Sequence, residues 1–111
     1  MASIHIDDTF LEIRMSRLEK LGALRRQVKV PLDSIVSVTP VDRARSAIKG
    51  VRAPGTGVPG GLMLGTWRGR GGRSFVAVRG RGPGYVIELQ DQKDTRLIVE
   101  SEVVPALELW R

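Results

Sequence analysis

The sequence predicts a mainly β domain, a small barrel or roll of antiparallel strands with a short helix after the second strand and a capping helix at the C-terminus. Three observations predict it. Apolar and polar residues alternate with a period of two through most of the chain, as in half-buried strands. Segments rich in glycine, proline and aspartate separate these runs, and helix patterns are confined to short stretches. A length of 111 residues predicts one domain, 1–111.

The N-terminal segment predicts a hairpin followed by a short helix. SIHID (3–7) and FLEIRM (10–15) alternate apolar and polar residues around an Asp-Asp-Thr turn. In the next segment, 16–22, a serine and a glutamate three residues apart fit a capping box, and Gly22 can take the left-handed conformation that ends a helix. A helix of one to two turns is therefore expected there.

The middle of the chain predicts short, interrupted elements. Residues 27–41 suit two strands that are broken near Pro31, because proline cannot donate to a strand ladder. Residues 42–50 predict a further helical turn. The glycine- and proline-rich segment 51–61 predicts a loop. Composition does not decide whether that loop is ordered.

The second half predicts a four-stranded antiparallel meander. Turns of four or five residues join four β-rich runs, and connections that short are typical of antiparallel neighbours. The runs are LMLGTWR (62–68), RSFVAVR (73–79), YVIELQ (85–90) and TRLIVE (95–100).

The last residues predict the capping helix. Ser101 suits an N-cap, and Pro105 is tolerated only in a first turn. Leu107 and Trp110 are three residues apart, so both are expected to face the sheet. Only seven residues remain from Pro105, and so short a helix predicts incomplete cover of the barrel end.

This order of elements resembles the bacterial pleckstrin-homology-like family, and in particular a short stand-alone subgroup of mostly unassigned function. The likeness is carried by SRLEKL (16–21), VPLDSIVSV (30–38), GVRAPGTGVPG (50–60), GRSFVAVRG (72–80) and RLIVE (96–100). The resemblance implies a pleckstrin-homology-like barrel. It also implies a non-enzymatic binding or scaffolding role with protein or membrane-surface partners.

The positive charge is concentrated in one stretch of the chain. The net charge is +6, and from Arg43 to Arg81 there are nine basic residues and no acid. Such asymmetry indicates an anionic partner, or a basic surface that serves only solubility. The uncharged stretch 53–67 is too short and too rich in glycine and proline to span a bilayer.

The meander divides these charges between the two ends of its sheet, because successive turns alternate between the ends. The turn at 69–72 is joined by that at 91–94, whose two aspartates partly neutralise it. The next turn lies at the other end, roughly 20 Å away. There we predict an anion site in which glycine-rich backbone amides assist as a nest. Its residues are Lys49, Arg52, Arg79 and Arg81.

Other kinds of site find little support. The G-x-G-x-x-G match at 55–60 precedes a β-rich run and no acid follows at the required distance, so it is not a dinucleotide fingerprint. The chain has no cysteine, and His5 is its only histidine, which predicts no metal site and no catalytic residue. An enzyme would need His5 paired with a serine in a cleft. Trp67 and Trp110 are expected to pack rather than to stack on bases.

The sequence therefore predicts a non-enzymatic binding module without a cofactor or a small-molecule substrate. It is expected in the cytoplasm, with peripheral membrane association as an extension. Its partner is a protein or an anionic membrane surface. Nucleic acid or another polyanion, bound through 43–81, is the alternative, and self-association is a further option.

Overall fold

The computed structural model of the protein describes residues 3–16, 28–48, 51–57 and 62–110. Two 3-10 turns, Leu32–Ser34 and Ala44–Ala47, interrupt the strands. Within the described ranges the structure contains nine strands and one helix: β1 (Ser3–Ile6), β2 (Phe10–Arg14), β3 (Val28–Pro31), β4 (Ile35–Val41), β5 (Val51–Gly57), β6 (Met63–Gly69), β7 (Gly72–Val78), β8 (Gly84–Leu89), β9 (Arg96–Glu100) and α1 (Pro105–Glu108).

The strands form two sheets, which confirms the predicted mainly β class. The first has the order β1-β2-β3, and the second has the order β4-β8-β9-β7-β6-β5. Strand pairing in the described part of the chain does not close a barrel. The helix predicted at 16–22 lies outside the described residues except for Ser16.

The predicted N-terminal hairpin is confirmed. β1 pairs antiparallel with β2, with Ile6 opposite Leu11. One carboxylate oxygen of Asp7, Oδ1, accepts hydrogen bonds from the backbone N–H groups of Thr9 (2.8 Å) and Phe10 (2.7 Å). These bonds satisfy two backbone donors of the turn, as aspartate commonly does at this position.

Predictions for the middle of the chain are confirmed up to residue 48 and wrong beyond it. Pro31 ends β3, the first 3-10 turn follows, and β4 begins at Ile35. The predicted helical turn is the 3-10 turn Ala44–Ala47. The predicted loop at 51–61, by contrast, contains β5, an edge strand that pairs antiparallel with β6. Edge strands tolerate glycine and proline because one of their sides needs no ladder partner.

The predicted four-stranded meander is wrong in one respect. β6 and β7 form a hairpin, and β8 and β9 form another. β7 and β8 are not neighbours, however, because β9 lies between them and pairs parallel with β7, with Phe75 opposite Leu97. The five-residue connection 79–83 therefore crosses over the end of β9.

The main core contains side chains from both sheets. Phe75 and Leu97, on neighbouring strands of the second sheet, are completely buried, as is Leu11 from the first. The short helix α1 contributes Leu107, which is 2% exposed, and Trp110 packs against the same cluster. Both residues were predicted to face the sheet, and both do.

A second, smaller core covers the opposite face of the second sheet. Trp67, Val76 and Ile98 are buried there under Ala44, from the second 3-10 turn. The interior strands of this sheet are therefore buried on both faces. For this reason their sequences contain continuous apolar runs instead of a strict alternation of apolar and polar residues. Trp67 is 4% exposed, so the prediction that it packs is confirmed.

The C-terminal helix is confirmed, but its predicted cap is wrong. The N-cap position is Val104, with Pro105 in the first turn and no side-chain capping bond. The hydroxyl of Ser101 instead donates to the backbone carbonyl of Glu102. Within the described residues, no helix has the length and apolar character needed to cross a membrane.

Candidate anion-binding loop

The crossover loop, residues 79–83, contains the two arginines of the predicted anion site that the structure describes with their side chains. It leaves β7 after Val78 and enters β8 at Gly84. Since β9 lies between these strands, the loop must span two strand spacings, about 10 Å. It passes the end of β9, where Glu100 stands opposite Gly84.

The carboxylate of Glu100 accepts three backbone hydrogen bonds from this loop. The N–H groups of Arg79 and Gly80 donate to Oε1 at 2.6 and 2.7 Å. The N–H of Gly82 donates to Oε2 at 2.9 Å. Glu100 itself is 9% exposed. The loop is therefore folded around a buried negative charge, the arrangement of a backbone nest.

Three carbonyl groups of the loop accept hydrogen bonds from the neighbouring segments. The guanidinium Nε of Arg45 donates to the carbonyl of Gly80 at 3.1 Å. The backbone N–H of Ala44 donates to the carbonyl of Gly82, also at 3.1 Å. The backbone N–H of Ser101 donates to the carbonyl of Pro83 at 3.0 Å. With three donors and three acceptors paired, the loop backbone has little freedom left.

Two opposing effects act on the pKa of Glu100. Burial raises the pKa, because it disfavours the charged form. The three backbone N–H groups, together with the positive charge of Arg45, lower the pKa and outweigh burial. The net pKa lies below the ordinary value of 4.5, so Glu100 is ionised at neutral pH.

We expect Glu100 to make the fold sensitive to acid. Because its pKa is lower in the folded than in the unfolded chain, its contribution to stability is complete above pH 4.5 and is lost as the pH falls below that value. Thermal unfolding followed by circular dichroism between neutral pH and pH 3 measures this loss. The stability difference between wild type and Glu100→Gln should shrink below pH 4.5; a constant difference would contradict the assignment.

The structure separates the predicted site residues. The side chains of Arg79 and Arg81 are exposed and form no ion pair within the described residues. Lys49 lies outside them. Arg52 stands in β5 opposite Trp67 of β6, and Trp67 is in turn opposite Ser74 of β7. Ser74 lies four residues, or ~13 Å, before the end of β7, where the crossover loop begins. The prediction that Arg52 lies beside Arg79 is wrong, because 51–57 forms a strand antiparallel to β6.

The predicted nest exists, but its donors are already used. Three of the loop's backbone N–H groups bind Glu100, so an external anion would meet guanidinium groups rather than these amides. Arg43 joins Arg79 and Arg81 here, because the backbone of Ala44 is bonded to the loop. Arg43 is also exposed and unpaired within the described residues. We call Arg43, Arg79 and Arg81 the arginine rim.

The opposite end of the sheet is only partly neutralised, as predicted. The Nε of Arg73 lies 2.8 Å from Oδ1 of Asp94, whose side chain is 7% exposed. The β6–β7 turn and the β8–β9 turn are joined there by the backbone N–H of Thr95, which donates to the carbonyl of Arg73 at 2.7 Å. Arg68 and Arg70 are exposed and make no ion pair among the described residues.

Sequence reasoning missed Glu100 and Arg45, which organise the loop. The available signal for Glu100 was its position after Leu97, Ile98 and Val99, since three consecutive apolar residues predict a strand buried on both faces. An acid at the end of such a strand needs donors, and a glycine-rich loop can supply them. No comparable signal pointed to Arg45.

The single histidine does stand beside a serine. The hydroxyl of Ser3 lies 3.0 Å from Nε2 of His5, and both side chains are exposed on β1. Glu12 is opposite His5 on β2, but its Oε1 binds the guanidinium of Arg14 at 2.8 Å. Within the described residues, no three histidine or acidic side chains are grouped as metal ligands.

Gly55 and Gly57, the first two glycines of the G-x-G-x-x-G match, lie within β5. A dinucleotide fingerprint needs them in a turn that opens a helix.

Comparison of the chain with family models, with curated proteins and with solved structures finds no match.

Proposed function

We propose that the chain is a non-enzymatic binding module that attaches to an anionic membrane surface through the arginine rim. The observation that carries this proposal is that Arg79 and Arg81 are exposed, without an ion pair in the part of the chain that the structure describes, on a loop whose backbone is held by Glu100. Groups that are already ordered lose little conformational entropy when they bind. A rigid basic loop is therefore suited to a dense array of negative headgroups.

The expected strength is modest. A basic residue near an anionic leaflet contributes about 1 kcal/mol, so three arginines contribute about 3 kcal/mol, or roughly 100-fold in affinity. This attraction decreases over about one Debye length from the membrane surface, and added salt weakens it further. The result is reversible, salt-dependent attachment.

The proposal retains the pleckstrin-homology-like type as its structural part. The mainly β fold and the short C-terminal helix support it. The parallel pairing of β7 with β9 departs from the antiparallel meander that the resemblance implied. A non-catalytic role is supported by the setting of His5, whose ring is exposed on an outer strand beside the exposed Ser3 rather than enclosed with it.

Nucleic acid is the alternative polyanion, and the aromatic residues argue against its single-stranded form. Single-strand binding proteins stack bases on exposed aromatic rings. Trp67, Phe75 and Tyr85 are 4%, 0% and 2% exposed, so they are not available for stacking. A membrane surface needs charge alone, which the rim supplies.

The test is co-sedimentation with phosphatidylglycerol vesicles and with neutral phosphatidylcholine vesicles at about 30 mM and about 150 mM salt. We expect wild type to sediment with the anionic vesicles only. The triple substitution Arg43→Glu, Arg79→Glu and Arg81→Glu should weaken binding at least about 100-fold, because three basic side chains are removed and the acids that replace them are repelled.

The matched control carries the same change in charge at the opposite end of the sheet. It replaces Arg68, Arg70 and Lys93 with glutamate; all three are exposed there and form no ion pair among the described residues. Equal weakening in both variants would mean diffuse attraction rather than a site. If wild type never sediments, the lipid proposal fails, and anisotropy with duplex DNA then tests the alternative.

A further inference from the structure

Met63, the first residue of β6, lies beside the start of the crossover loop. It stands opposite Val78, the last residue of β7, and the loop begins at the next residue. The Met63 side chain is only partly buried, and it packs against the smaller core. The other methionine of the described residues, Met15, is 8% exposed and belongs to the main core. Solvent therefore reaches the thioether of Met63 more readily than that of Met15.

One arginine connects this sulfur to the loop. The guanidinium Nη1 of Arg45 donates to the sulfur atom of Met63, Sδ, at 3.1 Å. The Nε of the same guanidinium donates to the carbonyl of Gly80, also at 3.1 Å. Gly80 in turn donates its backbone N–H to Glu100, the carboxylate around which the loop is folded. A chemical change at the sulfur therefore reaches the loop through a single side chain.

The thioether is the group in this arrangement that an oxidant can change. Peroxides convert methionine to methionine sulfoxide. A lone pair of the sulfur attacks one peroxide oxygen, so a sulfur–oxygen bond forms and the oxygen–oxygen bond breaks. With hydrogen peroxide, the second oxygen leaves as hydroxide and takes the proton of the first, which gives water. The sulfur loses two electrons and the peroxide gains them, so no further reactant is required.

The sulfoxide does not fit the present contact between Met63 and Arg45. The 3.1 Å separation of Sδ and Nη1 leaves no space for an oxygen atom between them. An oxygen added on the other side of the sulfur leaves a positively polarised sulfur facing the guanidinium cation, and like charges repel. In either case the guanidinium must move, and its hydrogen bond to the carbonyl of Gly80 is disturbed with it.

We infer that Met63 is an oxidation site and that formation of its sulfoxide releases the crossover loop. Arg79 and Arg81 flank Gly80, so the arginine rim loses part of its fixed geometry when the bond from Arg45 is lost. Methionine sulfoxide reductases reverse the oxidation, which makes the release a reversible change. The inference does not rest on membrane attachment, because release of the loop is measured without vesicles.

The test is treatment of the folded wild type with hydrogen peroxide, followed by peptide mass spectrometry and by amide hydrogen exchange measured by NMR. Met63 should be oxidised at least about 10-fold faster than Met15, because the core encloses the sulfur of Met15. The loop N–H groups that bind Glu100 should then exchange about 5-fold faster, as expected when one hydrogen bond that fixes the loop is lost. Treatment with a methionine sulfoxide reductase should restore the original exchange rates.

Met63→Leu is the matched control, a change of similar volume that is well tolerated in a core. The variant keeps Met1 and Met15, so any effect of oxidising those residues remains, but position 63 cannot form a sulfoxide. Circular dichroism shows that the variant is folded, and peroxide should leave its loop exchange unchanged. Equal oxidation rates for Met63 and Met15, unchanged loop exchange in the oxidised wild type, or the same acceleration in Met63→Leu would each overturn the inference.

Discussion

Replacing Glu100 with alanine should cost about 3–5 kcal/mol of the free energy of unfolding. The substitution removes the acceptor of three backbone N–H groups, and each buried donor left unpaired costs roughly 1–3 kcal/mol. Water can reach part of the loop, since Arg79 and Arg81 are exposed, and this limits the total. Because a domain of this size has about 5–15 kcal/mol of stability, the variant should lose a large part of it.

Urea denaturation followed by tryptophan fluorescence measures this loss. Glu102→Ala is the matched control, since it removes an exposed carboxylate two residues away and should change stability by less than about 0.5 kcal/mol. Glu100→Gln should fall between the two, because its amide oxygen can still accept from the N–H groups that Oε1 serves. A Glu100→Ala variant as stable as Glu102→Ala would show that the loop does not depend on the carboxylate.

Gly84→Ala should be at least as damaging, with a loss of about 4 kcal/mol or more. A Cβ atom at this position would overlap the backbone carbonyl oxygen of Val99 and lie 2.9 Å from the Cα of Glu100. These are main-chain atoms of the adjacent strand, so no side-chain rotation relieves the clash. The β8–β9 pairing would have to separate where the crossover loop enters β8.

Gly71→Ala provides the comparison for that substitution. Gly71 lies in the β6–β7 turn, and a Cβ there meets nothing within 4 Å. We expect a change of less than about 0.5 kcal/mol for it, measured in the same urea titration. Similar losses for the two variants would mean that a general glycine effect, and not the approach of β8 to β9, sets the cost.

The sequence predicted local structure better than it predicted strand order. The Asp7 turn and the break at Pro31 were predicted correctly because each depends on residues close in the chain. The position of β9 between β7 and β8 depends on contacts between residues 21 apart, such as the bond from Arg79 to Glu100. Short connections favour neighbouring strands, and that local rule was overridden here by the burial of β9 on both faces.

The positions of the predicted site residues were predicted only in part. Arg79 and Arg81 were placed correctly at one end of the sheet, away from Arg73, because a turn follows each strand. Arg52 was misplaced because glycine and proline in 51–57 indicate a loop, whereas an edge strand accommodates both. The charge pattern also gave no sign that Glu100, a buried carboxylate, would occupy the backbone donors.

The interior position of β9 has a consequence for how the protein forms during synthesis. Of the six strands in the second sheet, β9 is made last, yet it is the third across the sheet. Until it is released from the ribosome, β7 and β8 each expose an unpaired edge to other chains. The completed sheet also rests on long-range pairing, which is slow to form. Aggregation of nascent chains should therefore concentrate in the interval before residues 96–100 emerge.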